Sequence, residues 1–117
     1  SLLVMGDTSS SCFPEELIPY TTRTNINSGG IKVNFLVNYG WKWDLFGNKN
    51  GEINSKDISR IDMIIRWGGR MRLSGFLPVQ SVYSDMYIVD EMWPEYEDEQ
   101  FDRAIKWYQS QDVTLGG

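Results

Sequence analysis

Apolar and polar positions alternate most cleanly over Ile31–Tyr39. Ile31, Val33, Phe35, Val37 and Tyr39 share one parity, and Lys32, Asn34 and Asn38 the other. A period of two over nine residues predicts a half-buried strand. Leu36 interrupts the polar parity, so part of that face is expected to be covered as well. Ahead of this strand, residues 1–30 are rich in Ser, Thr, Asn and Gly and contain Pro14 and Pro19. They predict a loop-rich N-terminal arm with one short turn at Glu15–Ile18. Behind it come Trp41-Lys42-Trp43 and then a turn-rich stretch, Gly47-Asn48-Lys49-Asn50-Gly51.

A helix is expected next. Asn54 or Ser55 caps it, Asp57 sits in its first turn, and Ile58, Ile61, Ile64 and Ile65 fall on one stripe. Gly68-Gly69 supplies its end. Met71–Val79 and Val82–Met92 then read as two strands joined as a hairpin near Pro78, Gln80 and Ser81. A second helix follows Pro94. Phe101, Ala104, Ile105 and Tyr108 keep its i, i+3, i+4, i+7 spacing, and acids crowd its start. Val113-Thr114-Leu115 offers a short closing strand. The predicted architecture is α+β, two helices packed on a small, mostly antiparallel sheet. The order β-α-β-β-α-β is that of a ferredoxin-like fold. The domain reading is an arm over 1–30 and a single α+β domain over 31–117.

At 117 residues the chain is one domain's worth and long enough to bury a real core without staples. It has no His, which removes every mechanism with a His acid, base or ligand. The single Cys12 excludes an internal disulfide and Cys-rich metal sites. A formal net charge of −5 argues against a nucleic-acid partner. No apolar run approaches the length of a membrane span. Starting at Ser1 and stopping at Gly116-Gly117, the chain reads as a fragment of a longer protein or a processed product, and its compartment stays open.

Charge is segregated. Residues 23–72 carry nine of the eleven bases, whereas eight acids and no base lie from Asp85 to Asp102. That acidic stretch is either a solvated helix start or a docking surface for a basic partner.

The turn at 47–51 supplies the most specific pattern. With Gly51 at position six of a calcium loop, Asn48, Asn50 and Glu52 take positions three, five and seven, and Asp57 takes position twelve. Calcium wants several oxygen ligands and a Gly at the sharp bend. Position one is Phe46. Gly51, Ile53, Asn54, Ser55, Asp57 and the expected helix after them make about residues 44–67 similar to one half of a dockerin, an EF-hand-like module that plugs into cohesins. The resemblance implies that Ser55 and Lys56 face the partner. No cofactor is expected, and calcium is the one ion the loop suggests.

Two further groups stand out. On a continued strand, Trp41 and Trp43 present two indoles on one face, about 7 Å apart, suited to sugars, bases or partner side chains. Arg60, Arg66, Arg70 and Arg72 form a basic group, read either as compensation of a helix end or as a patch for phosphate or an acidic partner. Trp93 reads as a core-edge or interface residue, and Glu97, Asp98 and Glu99 sit among exposed aromatics. No enzyme constellation emerges. The expected function is a non-catalytic protein–protein interaction module, binding a protein partner or itself. The alternatives are a small viral or phage structural or inhibitory protein, and an aromatic-face domain for sugar or nucleotide.

Overall fold

A computed structural model describes residues 1–111. The chain divides into two compact units, Ser1–Asp57 and Ile58–Gly117. The class is α+β with small parallel sheets.

In the first unit, four successive apolar residues form strand β1 (Leu2–Met5), and the alternating segment forms β2 (Val33–Leu36). They pair in parallel, from Leu2 opposite Val33 to Met5 opposite Leu36. Leu3, Val4 and Met5 are buried, and Phe13 joins them. The segment read as a loop-rich arm thus holds β1 and a 3-10 helix at Glu15–Thr21. Past the strand ends, a Cβ on Gly6 would overlap the Val37 carbonyl oxygen, so only glycine fits there. Asp7 N donates to Asn38 O at 3.2 Å, and Asn38 Nδ2 donates back to Asp7 O at 3.0 Å.

Trp41–Phe46 is helix α1, not a continued strand. Residues two apart on a helix point to different sides, so the two indoles do not share a face. Trp43 meets Tyr39 edge-on at 6.1 Å, whereas the more exposed Trp41 meets Phe46 at 6.2 Å. Asp44 on this helix is fully buried. Its carboxylate accepts from Tyr39 Oη and from Ser55 N, each at 2.7 Å, and its carbonyl accepts from Asn54 N at 2.8 Å. One residue thereby ties the 47–55 loop to α1.

The second unit departs most from the expected pattern. The Ile stripe does not form a helix. Residues 52–62 are turns and irregular chain, and Met63–Trp67 is strand β3. Its partner is β4 (Asp85–Val89), in parallel register from Met63 opposite Asp85 to Trp67 opposite Val89. Parallel strands are covered on both faces and read as near-continuous apolar runs, and a short apolar run is compatible with helix or strand. The strand expected at Met71–Val79 is turns, so the hairpin is absent and the parallel pairs replace the mostly antiparallel sheet. Ile61 N to Gln80 O at 2.9 Å and Ser84 Oγ to Ile61 O at 2.5 Å bind the lead-ins of the two strands together.

A 3-10 turn at Trp93–Glu95 precedes helix α2 (Asp98–Gln109), the element the periodicity located. Its buried positions are Gln100 and Ala104, while Phe101 is 44% exposed. Gln100 Oε1 accepts from Glu97 N at 3.0 Å and from Trp67 Nε1 at 2.8 Å, linking the helix start to the end of β3. The strand expected at Val113–Leu115 lies outside the described residues.

Candidate functional site

In sheets of parallel strands, ligands bind beyond the carboxyl ends of the strands, where the chain turns away. At the end of β3 that turn is Gly68-Gly69, with φ of 105° and 71°, a conformation open to glycine at no steric cost. Both amides donate to Val89 O at 3.0 Å, and Gly68 N also donates to Glu91 O at 2.8 Å. The chain then doubles back, so that residues 72–76 face residues 64–66 across a cavity of about 270 Å³.

The lining has two characters. Ile64, Ile65, Leu73 and Phe76 supply apolar side chains to the lining, and Arg66, Arg72 and Ser74 line it as well. Arg66 Nη1 donates to the Arg72 carbonyl oxygen and reaches Ser74 Oγ at 3.4 Å. A guanidinium carries five donors, so Arg66 organises this turn and still has N–H groups to offer a ligand. Neither Arg66 nor Arg72 forms an ion pair among the described residues. Guanidinium forks match phosphate and carboxylate oxygens. Chemically, the cavity fits an anionic head joined to an apolar body.

The residues proposed from sequence do not converge. Arg66 lines this cavity, and Arg70 lies on its turn, exposed. In the 47–57 loop, Asn48 Oδ1 accepts from Asn50 N at 2.9 Å, Glu52 pairs with Lys56 at 2.7 Å, and Asp57 is exposed. No group of three or more His, Cys, Asp or Glu side chains among the described residues is placed to hold a metal ion. Ser55, expected to face a partner, is fully buried, whereas Lys56 is exposed and its pKa is raised by the hydrogen bond to Glu52. Trp41 and Trp43 belong to α1. Trp93 stands perpendicular to Trp67 at 4.9 Å and is 62% exposed. Glu97 caps α2, Asp98 raises the Tyr96 pKa by accepting its hydroxyl hydrogen bond, and Glu99 reaches Arg103 at 3.4 Å.

Ser74 went unread, and Arg72 was grouped with the basic residues without a place of its own. The signal for both was local: Arg-x-Arg-x-Ser directly after Gly-Gly. It gains meaning only once Met63–Trp67 is a parallel strand, because then the segment starts where ligands bind.

A family model for undecaprenyl diphosphate synthase matches residues 2–116. The ditrans,polycis-undecaprenyl-diphosphate synthase ((2E,6E)-farnesyl-diphosphate specific) of Vibrio parahaemolyticus is 30% identical over 139 residues, covering 98% of this chain and 55% of the relative. The tritrans,polycis-undecaprenyl-diphosphate synthase (geranylgeranyl-diphosphate specific) of Aeropyrum pernix is 30% identical over 124 residues, covering 99% and 57%. The crystal structure of a probable undecaprenyl diphosphate synthase from Campylobacter jejuni superposes with a TM-score of 0.69 at 20% identity, covering 97% of this chain and 61% of that one. At that identity the likeness concerns the fold alone. The chain spans about half the length of the curated relatives it matches.

These matches overturn the dockerin resemblance, whose expected helix is partly β3, and with it the calcium-loop identity. They likewise replace the non-catalytic interaction module, the viral or phage protein and the sugar or nucleotide domain, because the matched relatives are synthases, which are enzymes.

Proposed function

The chain belongs to the undecaprenyl diphosphate synthase family, and from that premise we propose that it forms the diphosphate-holding part of a prenyltransferase. The observation that carries this reading is the cavity beyond β3, which Arg66, Arg72 and Ser74 line together with Ile64, Ile65, Leu73 and Phe76. A prenyl diphosphate is an anionic head on an isoprenoid body, the two characters the lining presents. The guanidiniums of Arg66 and Arg72 neutralise the head and orient it through paired N–H···O contacts, and Ser74 adds a hydroxyl. Ile64, Ile65, Leu73 and Phe76 exclude water around the first carbons of the body. Holding the head fixed places the attached carbon for transfer, the positioning part of catalysis.

Calorimetric titration with inorganic pyrophosphate tests the reading. Binding is expected to fall by about tenfold or more in Arg66→Ala, the loss of roughly one charge-assisted contact set. Failure of the wild-type chain to bind pyrophosphate at millimolar concentration refutes the assignment of this cavity.

A further inference from the structure

Residues 90–99 are ten consecutive positions, every one of them exposed. Six are acids, none is a base, and Met92, Trp93, Pro94 and Tyr96 lie among them. Met92, Trp93 and Tyr96 are 60%, 62% and 41% exposed. The segment is nevertheless held in place. Glu95 N donates to Met92 O at 2.9 Å and Tyr96 N to Trp93 O at 3.0 Å, around the 3-10 turn at Trp93–Glu95. Trp93 stands edge-on to Trp67, and Tyr96 lies 5.6 Å from Trp67 and 5.2 Å from Trp93. Trp67 is itself fixed by its N–H bond to Gln100 Oε1. A rigid support thus presents the outer rings to water.

Exposed apolar patches rimmed by polar residues mark interaction surfaces, and Trp and Tyr are frequent anchors in them. Charge decides what fits this one. Among the described residues, the one ion pair that reaches the segment is Glu99 with Arg103 at 3.4 Å. A field of this sign repels nucleic acid and anionic lipid and draws cations. The face of an indole attracts a cation as well, guanidinium above all. We propose that the Met92–Trp93–Tyr96 surface docks a basic segment of a partner protein. An arginine or lysine head stacks on Trp93 with its aliphatic stem against the neighbouring apolar groups, and the carboxylates around it steer the approach. The surface shares no residue with the cavity beyond β3, so the proposal stands apart from the diphosphate reading.

The test follows the fluorescence anisotropy of a labelled peptide alternating arginine and leucine, titrated with the 117-residue chain. A peptide alternating glutamate and leucine is the control, and thermal melts check the folding of each variant. The arginine peptide binds, the glutamate peptide does not, and binding weakens steeply as salt rises. Trp93→Ala lowers the affinity by about tenfold or more, the loss of an interface anchor, while Trp93→Phe restores most of it. Glu91→Gln combined with Glu95→Gln flattens the salt dependence. The proposal is overturned if the arginine peptide does not bind at millimolar concentration, or if Trp93→Ala binds it as wild type does, which would leave charge alone at work. Sedimentation showing self-association that Trp93→Ala abolishes would assign the surface to a second copy instead. Salt-independent binding of phosphatidylcholine vesicles through Trp93 would assign it to lipid, and either result overturns the proposal. Pyrophosphate binding is unchanged in all these variants, so its own failure is read separately.

Discussion

Replacing Asp44 with alanine tests the part of the structure that the sequence least announces. The carboxylate is 0% exposed and takes two hydrogen bonds at 2.7 Å, from Tyr39 Oη and Ser55 N. Hydrogen bonds to charged groups contribute roughly 1.5–3 kcal/mol each. Removing the buried charge returns part of its desolvation cost, so the net loss is expected at about 2–4 kcal/mol. That is a large share of a domain stability of about 5–15 kcal/mol. Urea unfolding followed by Trp fluorescence measures it, with an unchanged m-value marking a stability effect. Asp44→Asn keeps the shape and one acceptor and should lose only about 1 kcal/mol. Tyr39→Phe combined with Asp44→Ala should be non-additive by about 0.5 kcal/mol or more, since both act through one bond. An Asp44→Ala protein within about 0.5 kcal/mol of wild type, the range of an ordinary surface change, refutes the argument that this carboxylate holds the 47–55 loop.

Gly6→Ala should lower the melting temperature, because its Cβ meets the Val37 carbonyl oxygen and backbone must move; about 1–3 kcal/mol is expected from such overpacking. Tyr96 should ionise above its ordinary pKa of 10.0, since its hydroxyl proton is held by Asp98. The raised value means this contact stabilises the fold below the unfolded pKa and is lost as pH rises through the folded one. An absorbance titration should show Asp98→Ala moving the transition back toward the ordinary value. Millimolar calcium should leave the melting curve of chelator-treated protein unchanged, because Asn48 Oδ1 and Glu52 are already engaged by Asn50 N and Lys56; a rise of several degrees would contradict this.

What the sequence made legible was the α+β class, the β2 segment and helix α2, each carried by a sustained period. Phe101, Ala104, Ile105 and Tyr108 located α2, although Gln100 rather than Phe101 is buried on it. The rest failed where parallel pairing removes periodicity. Leu2–Met5 is too short and too uniformly apolar to announce a strand, and Ile64-Ile65 completed a helical stripe by coincidence with Ile58 and Ile61. Once that helix was assumed, Gly68-Gly69 became its stop and the arginines became compensation for its dipole. The patch for phosphate or an acidic partner read at Arg60, Arg66, Arg70 and Arg72 had no strand end to give it a place; only Arg66 and Arg72 line the cavity. Likewise Asp57 and Asn54 suggested a metal loop, while the engaged carboxylate was Asp44, ten residues before Asn54 in a helix the Trp pair had disguised.

The paired amides of Gly68 and Gly69 on Val89 O bear on kinetics. On the diphosphate reading proposed above, a turn whose start is already sewn to the neighbouring strand leaves an arriving anion mostly side chains to order, at about 0.5–1.5 kcal/mol for each one immobilised. Capture is then a docking event, limited by diffusion and by attraction that salt screens. Dissociation, by contrast, carries the burden of discrimination. Ligands differing only in their heads should arrive at similar rates and separate in how long they stay.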